Sequence, residues 1–353
     1  MSGTLQPPET PETLLSKLDK HPDLVPYGGG NFGMPLAMLN GGLIVPNDRF
    51  FMRSNGPVPE IDPARWRLLI TGNVKRTVQL SLDDVKALPR RRLTAFLECA
   101  GNSRTRFDPV PEGTPWRNDA AGNAEWEGVA LGDLLDLAGV RDDTVDVVSV
   151  GGDFAGMRRG LPLGTARDAD TLVVWTMNGE ALPVAHGGPV RLLVPGWSGI
   201  ASTKWLVGLE VLNFAFDGFW NADNYVFWTE AGEPVRPVSQ LPVKSIISAP
   251  GEGETVPAGD RLVTGYAWSG YGAIRRVEVS TDGGSSWAEA CLETAGRRSW
   301  ARFSHQWRAT PGPVRIHARA TDERGLRQPA TAEWNVKGYL MNGIHEVSVT
   351  VSD

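Results

Sequence analysis

The sequence predicts two domains, a mixed α+β domain followed by an all-β, immunoglobulin-like sandwich. Its 353 residues suit two domains of ordinary size. Helix and strand patterns alternate in the first part, whereas only strand patterns with turn signals follow the proline-rich segment Ala231–Ser245, which is typical of a linker. We therefore expect an extended N-terminal arm at residues 1–25, the α+β domain at residues 26–240 and the sandwich at residues 241–353.

Local patterns predict the elements of the first domain. Thr77–Leu80 is predicted as a strand, and Ser81 is placed as the N-cap of a short helix. Arg92–Glu98 is a second predicted strand. Leu131–Val140 carries apolar residues at helical spacing, and Gly139 is placed to end that helix. Helix and strand patterns are mixed along this stretch, as expected for a domain that contains both.

The second domain is predicted from strands alone. The stretch VEVSTDGGSSW reads as two strands joined by a tight turn at Asp282-Gly283-Gly284. The later stretch VRIHARATDERG alternates apolar and polar residues and then turns at Gly325. Short alternating strands at regular spacing are typical of a β-sandwich of about 100 residues.

Composition excludes several classes of protein. The formal net charge of −6 gives no overall basic field for nucleic acid or an anionic membrane. Two cysteines cannot build a disulfide framework. The N-terminus lacks the basic and apolar regions of a signal peptide, and no apolar run approaches the roughly 20 residues of a membrane span. We expect a cytoplasmic protein, or a periplasmic one if the chain is a processed form.

Three motifs are weighed and set aside. Gly28, Gly30 and Gly33 have the G-x-G-x-x-G spacing, but the strand and helix that a dinucleotide site requires are not predicted around them. GWSGI lacks the second glycine of a nucleophile elbow. The five histidines show no H-x-x-x-H pair and no C-x-x-C is present, which argues against structural zinc.

Cys99, in FLECAGNSR, has two interpretations. A free cysteine is most often a small buried hydrophobe. Against that, a predicted strand ends here, a glycine follows shortly after, and Arg104 is near enough in sequence to favour a thiolate that binds a soft metal.

The stretch ECAGNSR closely resembles the molybdenum-ligand segment of the sulfite oxidase family. In the family's order it is accompanied by NDRFFMRSNGPVP, MNGEALPVAHGGPVRLLVPG, KWL, LPVKSII, GYAWSG and WNVKG, from about Pro46 to the C-terminus. The resemblance implies a molybdopterin-binding domain, one molybdenum–molybdopterin per chain, and an immunoglobulin-like domain that makes a homodimer.

The resemblance also implies a role for particular residues. Cys99 matches the thiolate that binds molybdenum. The residues that match the substrate anion pocket are Arg53, Arg104, Trp116, Tyr225 and Lys337. Those that match the cofactor-binding segments are Phe51, Met52, Arg53, Ser54, Asn55, Asp153, His186, Arg191, Ser202, Thr203 and Lys204. Lys337 stands where animal and plant members often have arginine, so it offers a point charge in place of a planar fork.

Three functions are distinguished on this basis. The first is oxidation of sulfite to sulfate, by oxygen-atom transfer at a cysteine-ligated molybdenum-oxo centre, with electrons passed to an external cytochrome, subunit or dioxygen because no haem is expected on this chain. The second is the same cofactor acting on nitrate, a sulfoxide or sulfane sulfur. The third is a non-catalytic binding module, which would contain no metal.

Overall fold

The computed structural model describes residues 10–39, 42–153, 156–229 and 232–353. We call the described chain up to residue 243 the α+β region, and residues 244–352 the β-sandwich. The helices are short and lie in the α+β region: α1 (Pro11–Lys17), α2 (Leu82–Lys86), α3 (Leu131–Ala138), α4 (Leu163–Ala166) and α5 (Phe219–Ala222). Within the described ranges, no helix is both long and apolar enough to cross a membrane.

The strands of the α+β region are β1 (Val25–Pro26), β2 (Phe32–Gly33), β3 (Arg67–Gly72), β4 (Val78–Ser81), β5 (Arg91–Glu98), β6 (Ala121–Ala130), β7 (Asp146–Gly151), β8 (Arg158–Pro162), β9 (Leu172–Met177), β10 (Glu180–Ala181), β11 (Arg191–Leu193), β12 (Leu206–Leu212), β13 (Val226–Trp228) and β14 (Pro234–Pro237). One sheet has the order β10-β9-β6-β5, with β11 also pairing with β9. Another has the order β4-β3-β12-β7-β8, in which only β3 and β12 run parallel.

The strands of the β-sandwich are β15 (Lys244–Ala249), β16 (Thr255–Pro257), β17 (Gly259–Trp268), β18 (Ile274–Ser280), β19 (Ala288–Glu289), β20 (Cys291–Thr294), β21 (Ala301–Ala309), β22 (Gly312–Asp322) and β23 (His345–Ser352). They form two sheets, β15-β17-β21-β20 and β16-β23-β22-β18-β19. One apolar cluster, which includes Val277, Phe303 and Ile316, fills the space between these sheets. The predicted fold class, α+β followed by an all-β sandwich, is confirmed.

Helices α2 and α3 show the physical basis of two correct sequence predictions. Ser81 caps α2: its hydroxyl accepts a hydrogen bond from the Asp84 backbone, and the Asp84 carboxylate accepts one from the Ser81 backbone. Helix α3 ends at Gly139, whose φ of 69° lies in the left-handed region that favours glycine.

The predicted extended arm is wrong over residues 10–25. This segment contains α1, which begins with a capping threonine and an early proline, both of which favour a helix start. Leu15 and Leu18 are buried in the main apolar cluster, so the segment is packed onto the α+β region. Residues 1–9 of the predicted arm lie outside the described part of the chain.

The predicted linker is packed rather than free. Its strand β14 pairs with β13, and Val238 and Leu241 are fully buried. Ala231 lies outside the described residues. The β-sandwich shares its apolar contacts with the α+β region here, since Trp268 lies in the same cluster as Phe96, with ring centroids 6.1 Å apart.

Candidate functional site

Cys99 follows β5 at the start of a tight loop. Its backbone N–H donates to the Ala120 carbonyl at 2.9 Å, and its own carbonyl accepts from Asn102 at 2.9 Å. The thiol is free and only 7% of the residue is exposed. The side chain nevertheless lines two cavities, so it is not sealed among aliphatic neighbours.

A buried polar network holds this loop from the β-sandwich side. The carboxylate of Glu98, the residue before Cys99, accepts from Lys244 at 2.7 Å, from the Trp268 indole at 2.7 Å and from the Asn102 amide at 2.9 Å. Asn102 in turn accepts from the Ala120 backbone at 3.0 Å. Since Lys244 and Trp268 belong to β15 and β17, the sandwich fixes the loop that carries the cysteine.

Two cavities meet at Cys99. We call them the His186 cavity and the Arg104 cavity. His186 lines the first and not the second, and Arg104 lines the second and not the first. Cys99, Arg53 and Tyr225 line both. The thiol therefore lies where one ligand could fill the first cavity and a second could enter through the other.

The His186 cavity contains ten of the eleven predicted cofactor-binding residues. These are Phe51, Arg53, Ser54, Asn55, Asp153, His186, Arg191, Ser202, Thr203 and Lys204. The exception is Met52, which is 1% exposed and lies in the apolar core, where its backbone pairs with Phe32. Adjacent residues of an extended segment point to opposite sides, so Phe51 can line the cavity while Met52 does not.

Arg191 and Lys204 bring positive charge into the His186 cavity. Arg191, 5% exposed, donates to the carbonyls of His186 and Ser202, each at 2.8 Å. Lys204 donates to the Ser54 hydroxyl at 2.7 Å and lies 4.1 Å from the Trp205 ring centroid. Burial lowers the pKa of Arg191 to about 9 and holds the pKa of Lys204 well below its usual value.

The other polar groups of the His186 cavity are held in place by local bonds. Burial, and then the charge of Lys20, hold the pKa of His186 well below its usual value, so its ring stays neutral. Asp153 accepts from the Met157 backbone at 3.0 Å. The Thr203 hydroxyl bonds the Ser149 hydroxyl at 2.7 Å.

Arg53 links the two cavities. Its guanidinium donates to the amide oxygens of Asn31 at 3.1 Å and Asn55 at 2.6 Å. Burial alone would lower the pKa of Arg53, but the interactions with Tyr225 and Cys99 outweigh it and raise this pKa.

Arg104 is enclosed by glycines in the second cavity. It is 6% exposed and donates to the carbonyls of Lys337 at 3.0 Å and Thr114 at 2.6 Å. A Cβ on Gly101 or Gly113 would lie 2.7 Å from a guanidinium nitrogen, and one on Gly338 would lie 2.8 Å from the Arg104 side chain. Only glycine at these three positions leaves the arginine in its present place.

The remaining predicted anion-pocket residues also line the Arg104 cavity. Trp116 is 1% exposed, and its ring lies 4.6 Å from that of Tyr27. Tyr225 is buried, and burial raises its pKa, so its hydroxyl stays protonated. Lys337 is exposed at the rim.

Several residues of the site were not predicted from the sequence. Tyr339 and Asn224 line the Arg104 cavity together with Glu112, an acidic side chain beside three cations. Lys20, 7% exposed, donates to the Phe50 carbonyl at 2.8 Å and lies 3.0 Å from His186 Nε2. The sequence around Lys20 contains no motif that predicts its contact with His186. The sequence around Tyr339 likewise contains none that predicts its place in the Arg104 cavity.

The donor set fits anionic ligands. In the described ranges, Arg53, Arg104, Arg191 and Lys204 donate to carbonyl, amide or hydroxyl oxygens and form no ion pair with a carboxylate. A buried charge without a counter-charge is costly. Arg104 and Arg191 are buried in this way, whereas Arg53 and Lys204 are half-buried. Ligands that carry negative charge would supply the counter-charge that these cations lack. A phosphate-bearing cofactor fits the His186 cavity, and a small oxyanion fits the Arg104 cavity.

Comparison with known proteins agrees with this geometry. The family model described as "Oxidoreductase molybdopterin binding domain" matches residues 55–220, and "Mo-co oxidoreductase dimerisation domain" matches residues 235–352. "Sulfite oxidase, mitochondrial" of Homo sapiens is 38% identical over an alignment of 347 positions, which covers 90% of this chain and 64% of that protein. "Sulfite oxidase" of Gallus gallus is 34% identical over an alignment of 383 positions, which covers 97% of this chain and 83% of that protein.

A solved structure extends the likeness over the whole chain. The sulfane dehydrogenase SoxCD from Paracoccus pantotrophus superposes with a TM-score of 0.84 at 27% identity, covering 99% of this chain and 93% of that chain. The chain spans 63% of the length of the mouse and rat sulfite oxidases it matches, somewhat less than two thirds. With relatives of this identity and coverage, the chain belongs to the sulfite oxidase family, whose cofactor is molybdenum–molybdopterin.

Proposed function

We propose that this protein oxidises sulfite to sulfate with a molybdenum–molybdopterin cofactor. One observation carries the proposal: Cys99, a buried free thiol, lies where a cavity whose cations suit a phosphate-bearing cofactor meets a cavity whose cations suit a small oxyanion. A soft thiolate suits molybdenum as a ligand. The names of the relatives, sulfite oxidases and a sulfane dehydrogenase, support this substrate class.

In this proposal the residues of the His186 cavity hold the cofactor. Arg191 and Lys204 bind its phosphate through charge-assisted hydrogen bonds. Neutral His186 adds a hydrogen bond without adding charge, and the Asp153 carboxylate accepts hydrogen bonds from the pterin. Cys99 Sγ binds the metal. When bound, the cofactor supplies the two-electron oxidation, for which the balanced reaction is SO₃²⁻ + H₂O → SO₄²⁻ + 2H⁺ + 2e⁻.

The residues of the Arg104 cavity bind and orient the substrate. Arg53, Arg104 and Lys337 would pair with the oxygens of the anion, which leaves its sulfur without a protein donor. The Tyr225 hydroxyl, protonated because burial raises its pKa, donates one neutral hydrogen bond. Trp116 forms an apolar wall that limits water beside the reacting atom. The electrons then pass to a separate acceptor, a cytochrome, another subunit or dioxygen.

Assays on the purified holoenzyme test the substrate. Sulfite, nitrate, a sulfoxide and thiosulfate are compared with a panel of acceptors, and molybdenum is measured in the same sample. We expect sulfite to have the highest kcat/KM and to yield one sulfate per two electrons. A molybdenum-loaded protein that does not turn over sulfite with any acceptor would contradict the proposal.

Sulfane sulfur is the second candidate substrate. It is favoured by the match to a sulfane dehydrogenase over 99% of this chain. Under this alternative, a sulfane-bearing substrate would have a higher kcat/KM than sulfite in the same assays.

We also propose a homodimer built through the β-sandwich, with the domain division near residue 240. The description of the second family model, a dimerisation domain at residues 235–352, supports both points. Light scattering after size-exclusion chromatography tests the oligomeric state, and a monomer at micromolar concentration would contradict it.

A further inference from the structure

We infer that Tyr339, supplied by the segment that precedes β23, positions Arg104 and Tyr225 and so sets the affinity of the anion pocket. This rests on the proposed function, since it assumes that the Arg104 cavity binds the oxyanion. Tyr339 is not among the residues that the sequence matched to the family's pocket. It lines the cavity together with Cys99, Arg53, Arg104 and Tyr225 and is 6% exposed.

The ring of Tyr339 contacts two of the proposed anion-binding side chains at once. It stacks on the Tyr225 ring with centroids 5.3 Å apart and an interplanar angle of 11°. The Arg104 guanidinium carbon lies over the same ring, 5.7 Å from its centroid. Aromatic stacking and cation–π contact both favour one orientation of each partner. Neither Arg104 nor Tyr225 can swing away without losing that contact.

The hydroxyl of Tyr339 fixes the backbone beside Tyr225. It donates to the Asn224 carbonyl at 3.0 Å. Burial raises the pKa of Tyr339, so the hydroxyl stays protonated and this bond persists across the neutral range. The ring thus supports the Tyr225 side chain, while the hydroxyl supports the residue before it.

The segment that carries Tyr339 is held by hydrogen bonds within itself and to the α+β region. Asn335 bonds both backbone groups of Tyr339, accepting from its N–H at 2.8 Å and donating to its carbonyl at 2.9 Å. The next residue, Leu340, donates to the Ala100 carbonyl at 2.8 Å. Leu340 holds a φ of 56°, an unfavourable value for leucine that the surrounding contacts must compensate. The chain accepts strain to keep this segment beside Cys99.

Two substitutions separate the ring from the hydroxyl. In Tyr339→Phe the ring remains and the bond to Asn224 is lost; in Tyr339→Leu the planar face is lost as well. We expect Tyr339→Leu to raise the KM for sulfite and the inhibition constant of sulfate about tenfold, with kcat changed less than about threefold. We expect both constants of Tyr339→Phe to stay within about threefold of the wild-type values, since the hydroxyl bond is one neutral contact.

The control is Tyr271→Leu, at a half-buried tyrosine of the β-sandwich outside both cavities; its constants should match the wild type. Molybdenum content and melting temperature are measured for every variant. If Tyr339→Leu does not fold, Tyr339→Met, which also lacks a planar face, carries the same expectation. Unchanged sulfate inhibition in a folded, loaded Tyr339→Leu would overturn the inference. If the wild type neither oxidises sulfite nor is inhibited by sulfate, the proposed function fails instead.

Discussion

Cations are used differently in the β-sandwich and around the two cavities. In the sandwich, Arg319 donates to both oxygens of Glu278 at 3.0 and 3.1 Å, and Arg297 pairs with Glu323 at 2.6 Å. Around the cavities, Arg104 and Arg191 are nearly inaccessible and bond only to carbonyls among the described residues. These two sandwich arginines are neutralised within the chain, whereas Arg104 and Arg191 are left without a carboxylate partner beside a cavity.

The interface between the α+β region and the β-sandwich, where Lys244 pairs with Glu98, shows that burial alone does not decide whether a cation lacks a carboxylate partner. Lys244 is as buried as any cation of the cavities, yet it has a carboxylate partner in Glu98 at 2.7 Å. That pair has a structural role, because it anchors the loop of Cys99. Arg159 is equally buried and, within the described ranges, also donates only to carbonyls, those of Trp220 and Val238, although it lines neither cavity. A missing carboxylate therefore indicates a ligand only where the cation also lines a cavity.

The largest effect is expected for Cys99→Ser. A hydroxyl is a harder and less basic ligand than a thiolate, so we expect sulfite turnover to fall by at least about 1,000-fold while the protein stays folded. Steady-state kinetics and a melting curve measure the two quantities. Cys291→Ser, at an exposed cysteine of the β-sandwich, is the matched control and should behave as wild type. Full activity in Cys99→Ser would make the assignment of this residue wrong.

Lys244→Met tests the buried ion pair between Lys244 and Glu98 at the interface of the two regions. It leaves the Glu98 carboxylate buried without a counter-charge, so we expect a loss of about 3–5 kcal/mol in unfolding free energy, measured with urea. The double variant Lys244→Met with Glu98→Gln removes both charges and should regain part of that loss. A single variant as stable as the wild type would show that the pair does not anchor the loop.

Arg104→Gln tests an unpaired cation of the cavities. Removing one charge-assisted contact to the substrate should lower kcat/KM for sulfite about 100-fold, chiefly through KM. Stability should not fall as it does in Lys244→Met, since no carboxylate loses a partner. Arg104→Lys should recover only part of the activity, because lysine lacks the planar fork. A large loss of stability in Arg104→Gln without a change in KM would indicate a structural arginine.

The smallest effect is expected for Arg297→Gln. Its pair with Glu323 is half-exposed, so its loss should cost less than about 1 kcal/mol and leave the kinetics unchanged. Urea unfolding and sulfite kinetics are measured for Arg297→Gln and Arg104→Gln under the same conditions, so that the two variants can be compared directly. A kinetic effect here would break the distinction between the two regions.

Local signals predicted much of the fold. The cap at Ser81, the stop at Gly139 and the alternation in the last strands are each set by a few neighbouring residues, so they could be read from the sequence. The helix α1 was missed because proline and acidic residues suggested an extended segment, although a capped start and spaced leucines also favour a helix. Met52 could have been separated from Phe51 by the alternation of an extended chain.

The site residues that belong to recognisable sequence motifs were predicted. The contacts between segments far apart in the sequence were not. Arg53, Cys99 and Arg104 lie in short stretches that resemble a family. Lys20 approaches His186 from 166 residues away, and Arg104 meets the Lys337 carbonyl across 233 residues. Tyr339 lies two residues beyond that carbonyl. Sequence periodicity and residue spacing do not predict these long-range contacts, which depend on how distant parts of the chain pack together.

The binding of the metal by Cys99 is tested most directly by X-ray absorption at the molybdenum edge of the wild-type protein and of Cys99→Ser at equal metal content. We predict one sulfur neighbour fewer around the metal in the variant, with the molybdenum still bound because the cations of the His186 cavity hold the rest of the cofactor. An unchanged sulfur count would contradict the claim that Cys99 binds the metal where the two cavities meet.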